Sequence, residues 1–331
     1  MLPIGKLPVE LLKTCLSHRG MADPRVVVGP RFGEDCAVID MGEQYLLVKT
    51  DPVTFTTERL GWYAVHINAN DIATMGGRPQ WFQACLLFPP DTDRETVRDV
   101  FRQIDETCQS LGVTVSGGHT EVTRAVSQPV VVGTMYGTVD KASLVTSAGA
   151  RPDDLVVMTK TAGLEGTSIL IAEKADELRA VLGAARWQET RRLAQTLAIS
   201  IVTEAGLAAR HGASAMHDPT EGGIAMALYE LASASDHGLR VELDAIPVLP
   251  LTRDICDYFQ INPLGLISSG TLLLTIPPRR WPALRASLEA EGIAGQVIGS
   301  VRAEPGIAAF VNGKPTDFVY SETDELAKLL S

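Results

Sequence analysis

Apolar residues recur at helical spacing in several windows of this 331-residue chain. Between residues 93 and 111, Val97, Val100, Phe101, Ile104, Cys108 and Leu111 fall at steps of three and four. Arg94, Glu95, Arg98, Asp99 and Glu106 cover the other side, so the spacing predicts an amphipathic helix. Gly112 closes it. A shorter pattern over 4–18 gathers Ile4, Leu7, Leu11, Leu12, Cys15 and Leu16 near one face and ends at His18-Arg19-Gly20. Further helices are expected over 61–75, 167–175, 188–211, 224–232 and 281–291. Short apolar runs predict strands at 26–28, 36–40, 45–49, 80–87, 113–116, 129–139, 155–159, 239–243, 270–276, 295–301 and 307–311.

Runs 36–40 and 45–49 flank Met41-Gly42-Glu43-Gln44, a spacing suited to a β-hairpin. Pro52 argues against continuing the second run as a central strand. Strands and helices alternate irregularly, and several strand pairs read as antiparallel. The expected class is therefore α+β layers rather than a doubly wound parallel sheet. Turn residues and charges at 148–154 mark the best boundary, giving domains at 1–148 and 149–331.

Composition narrows the function. Hydrophobic content of 45% and charged content of 21% fit a globular chain. A net charge of −11 lacks the basic footprint of a general nucleic-acid binder. It leaves nucleotides open, because Mg²⁺ can bridge carboxylates and phosphates. No apolar run approaches the roughly 20 residues of a membrane span, and the N-terminus carries no signal-like segment. A cytoplasmic location is expected. The five cysteines are widely spaced with no Cys-x-x-Cys pair, which indicates neither a zinc knuckle nor a disulfide framework.

Acids, Gly and Thr cluster at the ends of apolar runs. Gly33-Glu34-Asp35-Cys36-Ala37-Val38 places two acids before a strand; Asp35 sits nearer the buried run. Lys49-Thr50-Asp51 ends another strand. Asn68-Ala69-Asn70-Asp71 lies in an apolar helix that stops at Gly76-Gly77. Gly117-Gly118-His119-Thr120-Glu121 follows a strand, and Asp218-Pro219-Thr220-Glu221-Gly222-Gly223 opens a helix. Each alone reads equally as a turn, a cap or a strand end. If they converge, the acids need cations, since two carboxylates 4 Å apart repel by about 4 kcal/mol at an effective dielectric of 20. An acidic, cysteine-poor set favours Mg²⁺ over Zn²⁺. No Walker A or Rossmann glycine pattern is present. His66, His211 and His237 read as structural; His217 precedes Asp218 and could line the cleft, but is not counted among the site residues.

The five motifs, in this order, resemble the aminoimidazole ribonucleotide synthase superfamily, whose branches include selenophosphate synthetase, thiamine-monophosphate kinase and the hydrogenase maturation factor HypE. The resemblance spans nearly the whole chain and is nearest to the HypE-like branch. It implies an N-terminal α/β domain that pairs with its twin in a homodimer, and a C-terminal α+β domain. ATP and Mg²⁺ would bind in the cleft between the two domains. It implies Asp35, Asp51 and Asp71 as metal ligands and Asp71, His119 and Glu121 as catalytic residues. Lys49, Thr50, Asn68, Gly117, Gly118, Thr120, Asp218 and Thr220 would bind the nucleotide. The implied chemistry is ATP-dependent activation of an amide, carbonyl or phosphate oxygen on a small-molecule or protein-borne acceptor. A thiamine-monophosphate kinase and a non-catalytic nucleotide binder are the alternatives. Gly-Glu-Asp-Cys-Ala and Gly-Gly-His-Thr depart from the kinase pattern. The sequence ends Asp-Glu-Leu-Ala-Lys-Leu-Leu-Ser and has its last cysteine at Cys256, whereas HypE carries its substrate on a C-terminal cysteine.

Overall fold

The computed structural model describes Leu2 and residues 4–330. They form two compact units. One holds 24–29 and 36–144. The other holds 145–331 together with 1–23 and 30–35. The sequence pattern groups 1–148 together, whereas in the structure the leading segment packs with the C-terminal half.

The leading segment carries α1 (Val9–Cys15), much shorter than the pattern over 4–18 suggests. Val9 is buried, while Ile4, Leu7 and Leu11 are exposed. The apolar face finds no partner along most of its length, so the periodicity is not converted into a packed helix.

The smaller unit has a six-stranded sheet built from β1 (Val26–Val28), β2 (Ala37–Asp40), β3 (Gln44–Val53), β4 (Arg78–Phe88), β5 (Thr114–Val122) and β6 (Val130–Asp140), in the order β1-β2-β3-β6-β4-β5. β2 and β3 form the expected hairpin, with Ala37 opposite Val48. β3 runs on through Pro52, which lies opposite Val132 of β6. Pairing with β2 stops at Val48. Beyond it β3 has a neighbour on one side only, and a proline is tolerated there.

Two helices, α2 (Leu60–Thr74) and α3 (Arg94–Leu111), complete this unit. The α3 helix matches its sequence signature. Asp93 caps it by accepting the N–H groups of Glu95 and Thr96, and Gly112 ends it at φ +66°. The α2 helix is mostly apolar and almost wholly buried, with His66, Asn68, Asn70 and Asp71 among its buried residues. It packs on α3 and on the sheet, where Leu47, Val53, Phe82, Leu86, Val131 and Met135 share one face and are buried. Gly133 lets α2 approach, because a Cβ there would meet Asn68 Nδ2 at 2.5 Å.

β5 is longer than expected and contains the whole Gly117–Glu121 motif, which is therefore strand and not turn. Among the described residues its only strand partner is β4, and all nine of its residues are exposed.

In the larger unit β7 (Leu155–Thr159), β8 (Ala215–His217), β9 (Gly238–Glu242), β10 (Leu273–Ile276), β11 (Gly295–Arg302), β12 (Ile307–Val311) and β13 (Lys314–Thr316) form one sheet, in the order β13-β12-β9-β11-β7-β10-β8. All its pairs are antiparallel except β12 with β9. The helices are α4 (Leu164–Glu173), α5 (Ala175–Thr196), α6 (Val202–Arg210), α7 (Gly223–Ser235), α8 (Pro250–Phe259), α9 (Trp281–Ala290) and α10 (Glu325–Leu330). The core joins Val156, Met158, Ala215, Leu239, Leu273 and Ile298 of the sheet to Ile224, Leu228 and Leu231 of α7.

The continuous helix expected over 188–211 is two helices. Leu197, Ile199 and Ile201 lie buried in the break between α5 and α6. Burying these three apolar side chains outweighs continuing the helix.

The start of α7 is tightly constrained. Gly222 is its N-cap in the left-handed region, and Gly223 follows at φ +60°. A Cβ on Gly223 would meet the carbonyl oxygens of Leu264 and Leu266 at 2.6 Å. Gly223→Ala should therefore lower stability by about 2–4 kcal/mol, read as a fall in the urea midpoint at constant m-value. An unchanged midpoint would contradict this account.

Candidate functional site

In the smaller unit the chemistry gathers where α2 crosses β3. Lys49 and Asp51 are two residues apart on a strand, so they share a face. That face meets Asp71, which α2 carries with only 2% of its side chain exposed. The Lys49 ammonium lies 3.2 Å from a carboxylate oxygen of Asp51 and 3.2 Å from one of Asp71. One lysine thus stands between two carboxylates, and the trio keeps a net charge of −1.

Asn68, one turn before Asp71, was expected to bind a cofactor; it is fully buried, and its side chain is committed to backbone. Its Oδ1 accepts the Asp51 N–H at 3.0 Å, while its Nδ2 donates to Ala64 O at 2.8 Å and Asp51 O at 3.3 Å. Asn68 therefore fixes the strand end that presents Asp51. Thr50, also expected at the nucleotide, points to the opposite face and shares a hydrogen bond with Thr134 at 3.0 Å.

The Gly117–Glu121 residues do not join this trio within one chain. Asp51 pairs with Gly133, Gly133 with Ala84, and Ala84 with Gly118. Three strand spacings, roughly 14 Å, separate the ends of that row. His119 and Glu121 alternate with Gly118 and Thr120, so their side chains face away from Asp51 and Asp71. Both are exposed, and His119 Nε2 lies 3.3 Å from Glu121 Oε2. The expected catalytic grouping of Asp71, His119 and Glu121 is not assembled within one chain. β-Strand alternation, which the turn reading of this motif hid, is the reason.

In the larger unit Asp35 and Asp218 bring carboxylate oxygens within 4.8 Å of each other, both residues being buried. Asp35 Oδ1 lies 2.8 Å from His217 Nδ1. The other oxygen, Oδ2, is buried with no partner among the described residues. His217 Nε2 meets Glu230 Oε2 at 3.0 Å, and Lys6 Nζ stands 3.4 Å from Glu230 Oε1 and 3.2 Å from Thr220 Oγ1. Burial by itself would lower the His217 pKa, but Asp35 and then Glu230 raise it well above the usual imidazole value. Burial likewise opposes ionisation of Glu230, yet Lys6 and His217 hold its pKa down at about 2. Glu34 Oε1 pairs with Arg31 at 2.6 Å and accepts the Ala148 N–H at 3.3 Å.

The N-cap of α7 is Gly222, which has no side chain to cap with. Asp324 does the nearby work instead, accepting the Gly222 N–H at 2.6 Å and the Leu326 N–H at 2.8 Å. Sequence reasoning missed it because it lies 102 residues downstream. It also missed His217, whose two acidic partners are 182 residues upstream and 13 residues downstream.

A divalent cation fits these donors. Lys6 reaches Glu221 and Glu230, and His217 reaches Asp35 and Glu230, while Asp35 Oδ2 stays buried without a partner among the described residues. An unpaired buried carboxylate oxygen is costly and is explained when a ligand takes it. All the donors are oxygens, the set preferred by Mg²⁺.

The profile of the AIR synthase related protein N-terminal domain matches residues 33–139, and that of the C-terminal domain matches 151–312. The chain belongs to the AIR synthase related protein family. A hydrogenase expression/formation protein of Methanocaldococcus jannaschii is 25% identical over 278 residues, covering 82% of this chain and 80% of its own length. The carbamoyl dehydratase HypE of Rhizobium leguminosarum bv. viciae is 26% identical over 310 residues, 88% of this chain and 85% of its own. Among solved structures, the hydrogenase maturation protein HypE in complex with ATP superposes with a TM-score of 0.70 at 21% identity, over 98% of both chains. The family's two-domain α+β architecture is thus that of this chain. No helix among the described residues is long and apolar enough to cross a membrane.

Behind the larger unit's acids, burial pushes Glu165 up to about 8; Ser269 opposes this, and Glu221, Asp324 and Asp218 add to it. Burial also raises Asp324 to about 7. Between the ordinary carboxylate value and about 8, the folded chain holds a Glu165 proton that the unfolded chain has released. Stability contributed by this group therefore falls as pH rises through that window. Glu165→Gln should reduce the loss of unfolding free energy between pH 5.5 and 8 by about 1 kcal/mol or more. Urea melts at the two pH values measure it, and an unchanged slope would refute the assignment.

Proposed function

We propose that this family member is a Mg²⁺-dependent, ATP-using enzyme of the HypE-like branch. The observation that carries the reading is the pair Asp35 and Asp218, buried acids with carboxylate oxygens within 4.8 Å of each other, in a chain matched by both family domains. Asp35 and Asp218 would hold Mg²⁺ from the larger unit, and Asp51 and Asp71 are the metal-binding acids of the smaller unit. The metal supplies neutralisation of phosphate charge when bound.

Around that charge the chain's own groups position and stabilise. Lys49 is a compact cation suited to a phosphate oxygen and is already fixed by Asp51 and Asp71. Thr220 offers a hydroxyl beside Lys6. The positive α7 N-terminus that Thr220 precedes favours an anion. Such an arrangement activates an acceptor oxygen by holding transferring phosphate in place, which is mostly positioning and charge stabilisation. The acceptor is an amide, carbonyl or phosphate oxygen on a small molecule or a protein. Carbamoyl dehydratase activity in the similar HypE proteins supports the first of these.

The chain acts as a homodimer in this reading. β5 exposes Val115 and Val122 together with its free backbone edge, and an uncovered edge of nine residues invites pairing with a second copy. Gly117, Gly118, His119, Thr120 and Glu121 then serve the site of the dimer, which a single chain leaves without them. Sedimentation equilibrium should return twice the chain mass, and Val122→Lys should shift it toward the monomer. A monomeric parent chain would remove this part of the proposal.

Calorimetric titration with ATP and Mg²⁺ tests the nucleotide reading. Asp71→Asn, which takes the buried charge from beside Lys49, should weaken binding at least tenfold, or about 1.4 kcal/mol. Undisturbed binding by that variant would count against the site. ATP binding without consumption across small acceptors would support the non-catalytic reading, while phosphorylation of thiamine monophosphate would establish the kinase reading.

A further inference from the structure

Behind Asp35 stands a chain of charged side chains that the metal reading alone does not use. Asp35, His217 and Glu230 are 7%, 5% and 5% exposed. The imidazole lies between the two acids, 2.8 Å from Asp35 Oδ1 and 3.0 Å from Glu230 Oε2. Since a carboxylate can only accept, both ring nitrogens donate. Ser147 Oγ, anchored on Met216 O at 3.1 Å, lies 3.5 Å from His217 Nδ1 and limits the ring further. Glu230 is held in turn by Lys6, whose Nζ also reaches Thr220 Oγ1 at 3.2 Å and Glu221 Oε2 at 3.9 Å.

The two oxygens of Asp35 are treated differently. Oδ1 is taken by His217, and Oδ2 is left buried without a partner among the described residues. A cluster serving stability alone would be expected to satisfy both, because a lone buried acceptor is costly. Resting on the Mg²⁺ reading above, we propose that Lys6, Glu230 and His217 form a strut that fixes the orientation of Asp35, so that Oδ2 is presented to a divalent cation. They are positioning residues, of the kind that orient a metal ligand from behind. Lys6 ties the segment ahead of α1 into this role, which links the order of that segment to metal affinity.

The sign of the effect separates a strut from plain electrostatics. Removing a cation near a metal site should, by charge alone, tighten metal binding. Losing a strut should loosen it. Mn²⁺ alone, titrated into the full chain and followed by the electron paramagnetic resonance of the free ion, reads the affinity directly. His217→Gln should weaken Mn²⁺ binding about 10–100-fold. Lys6→Met should weaken it severalfold while leaving the melting temperature and circular dichroism near those of the parent, and Lys6→Arg should restore it. Where His217→Gln fails to fold, the Lys6 pair carries the test. Parental or tighter affinity in Lys6→Met overturns the strut while leaving the metal site standing. A parent chain that binds no Mn²⁺ overturns the metal reading, and the strut with it.

Discussion

Burying an ionised carboxylate is the constraint on which the candidate site depends. Isolated, such a group is too costly to keep charged away from water. Two of the buried acids meet a basic side chain directly. Asp71 has Lys49 beside it, and Asp35 has His217. In both places the basic group meets a second acid. Lys49 is shared with Asp51, and His217 is shared with Glu230. In the proposed reading, a metal ion takes up the negative charge that these acids share.

That constraint explains several features with no obvious purpose in the sequence. Asn68 gives up its whole side-chain amide to hold the strand around Asp51. Gly133 stays small so that Asn68 can reach that strand. Asp324 returns from the far end of the chain to take the Gly222 N–H, a group that Gly222 itself has no side chain to serve. Supporting residues of this type spend polar groups on geometry, and they lie apart in sequence from the acids they serve. The relation to HypE proteins then fits the chemistry: a two-domain frame with acids held at the ends and edges of its elements.

Much of the fold was legible from local pattern. The α3 helix carries its own cap, its apolar stripe and its closing glycine, and the β2–β3 hairpin carries its turn. Asp35, Asp51, Asp71 and Asp218 could be singled out because acids in apolar surroundings need a partner. Less was legible where competing terms decide. The 4–18 stripe had no surface to cover it, and the 188–211 helix broke because Leu197, Ile199 and Ile201 gain more from burial. Gly117–Glu121 read as a turn from its glycines but extends as an edge strand, and this moved His119 and Glu121 to the wrong face for Asp71.

The sequence by itself determined the kind of chemistry: an acidic, glycine-rich set of motifs in a fixed order, placed on α+β elements and shared with one family. Side-chain type and local periodicity are enough for that, since propensity, capping and charge are short-range properties. Only the tertiary structure decided which groups act together. It paired Lys49 with two acids, set His217 between Asp35 and Glu230, and left the β5 motif apart from Lys49 and its acids. Such pairings join residues as far apart as Lys6 and Glu230. They follow from strand register and helix packing, which no local stretch of sequence contains.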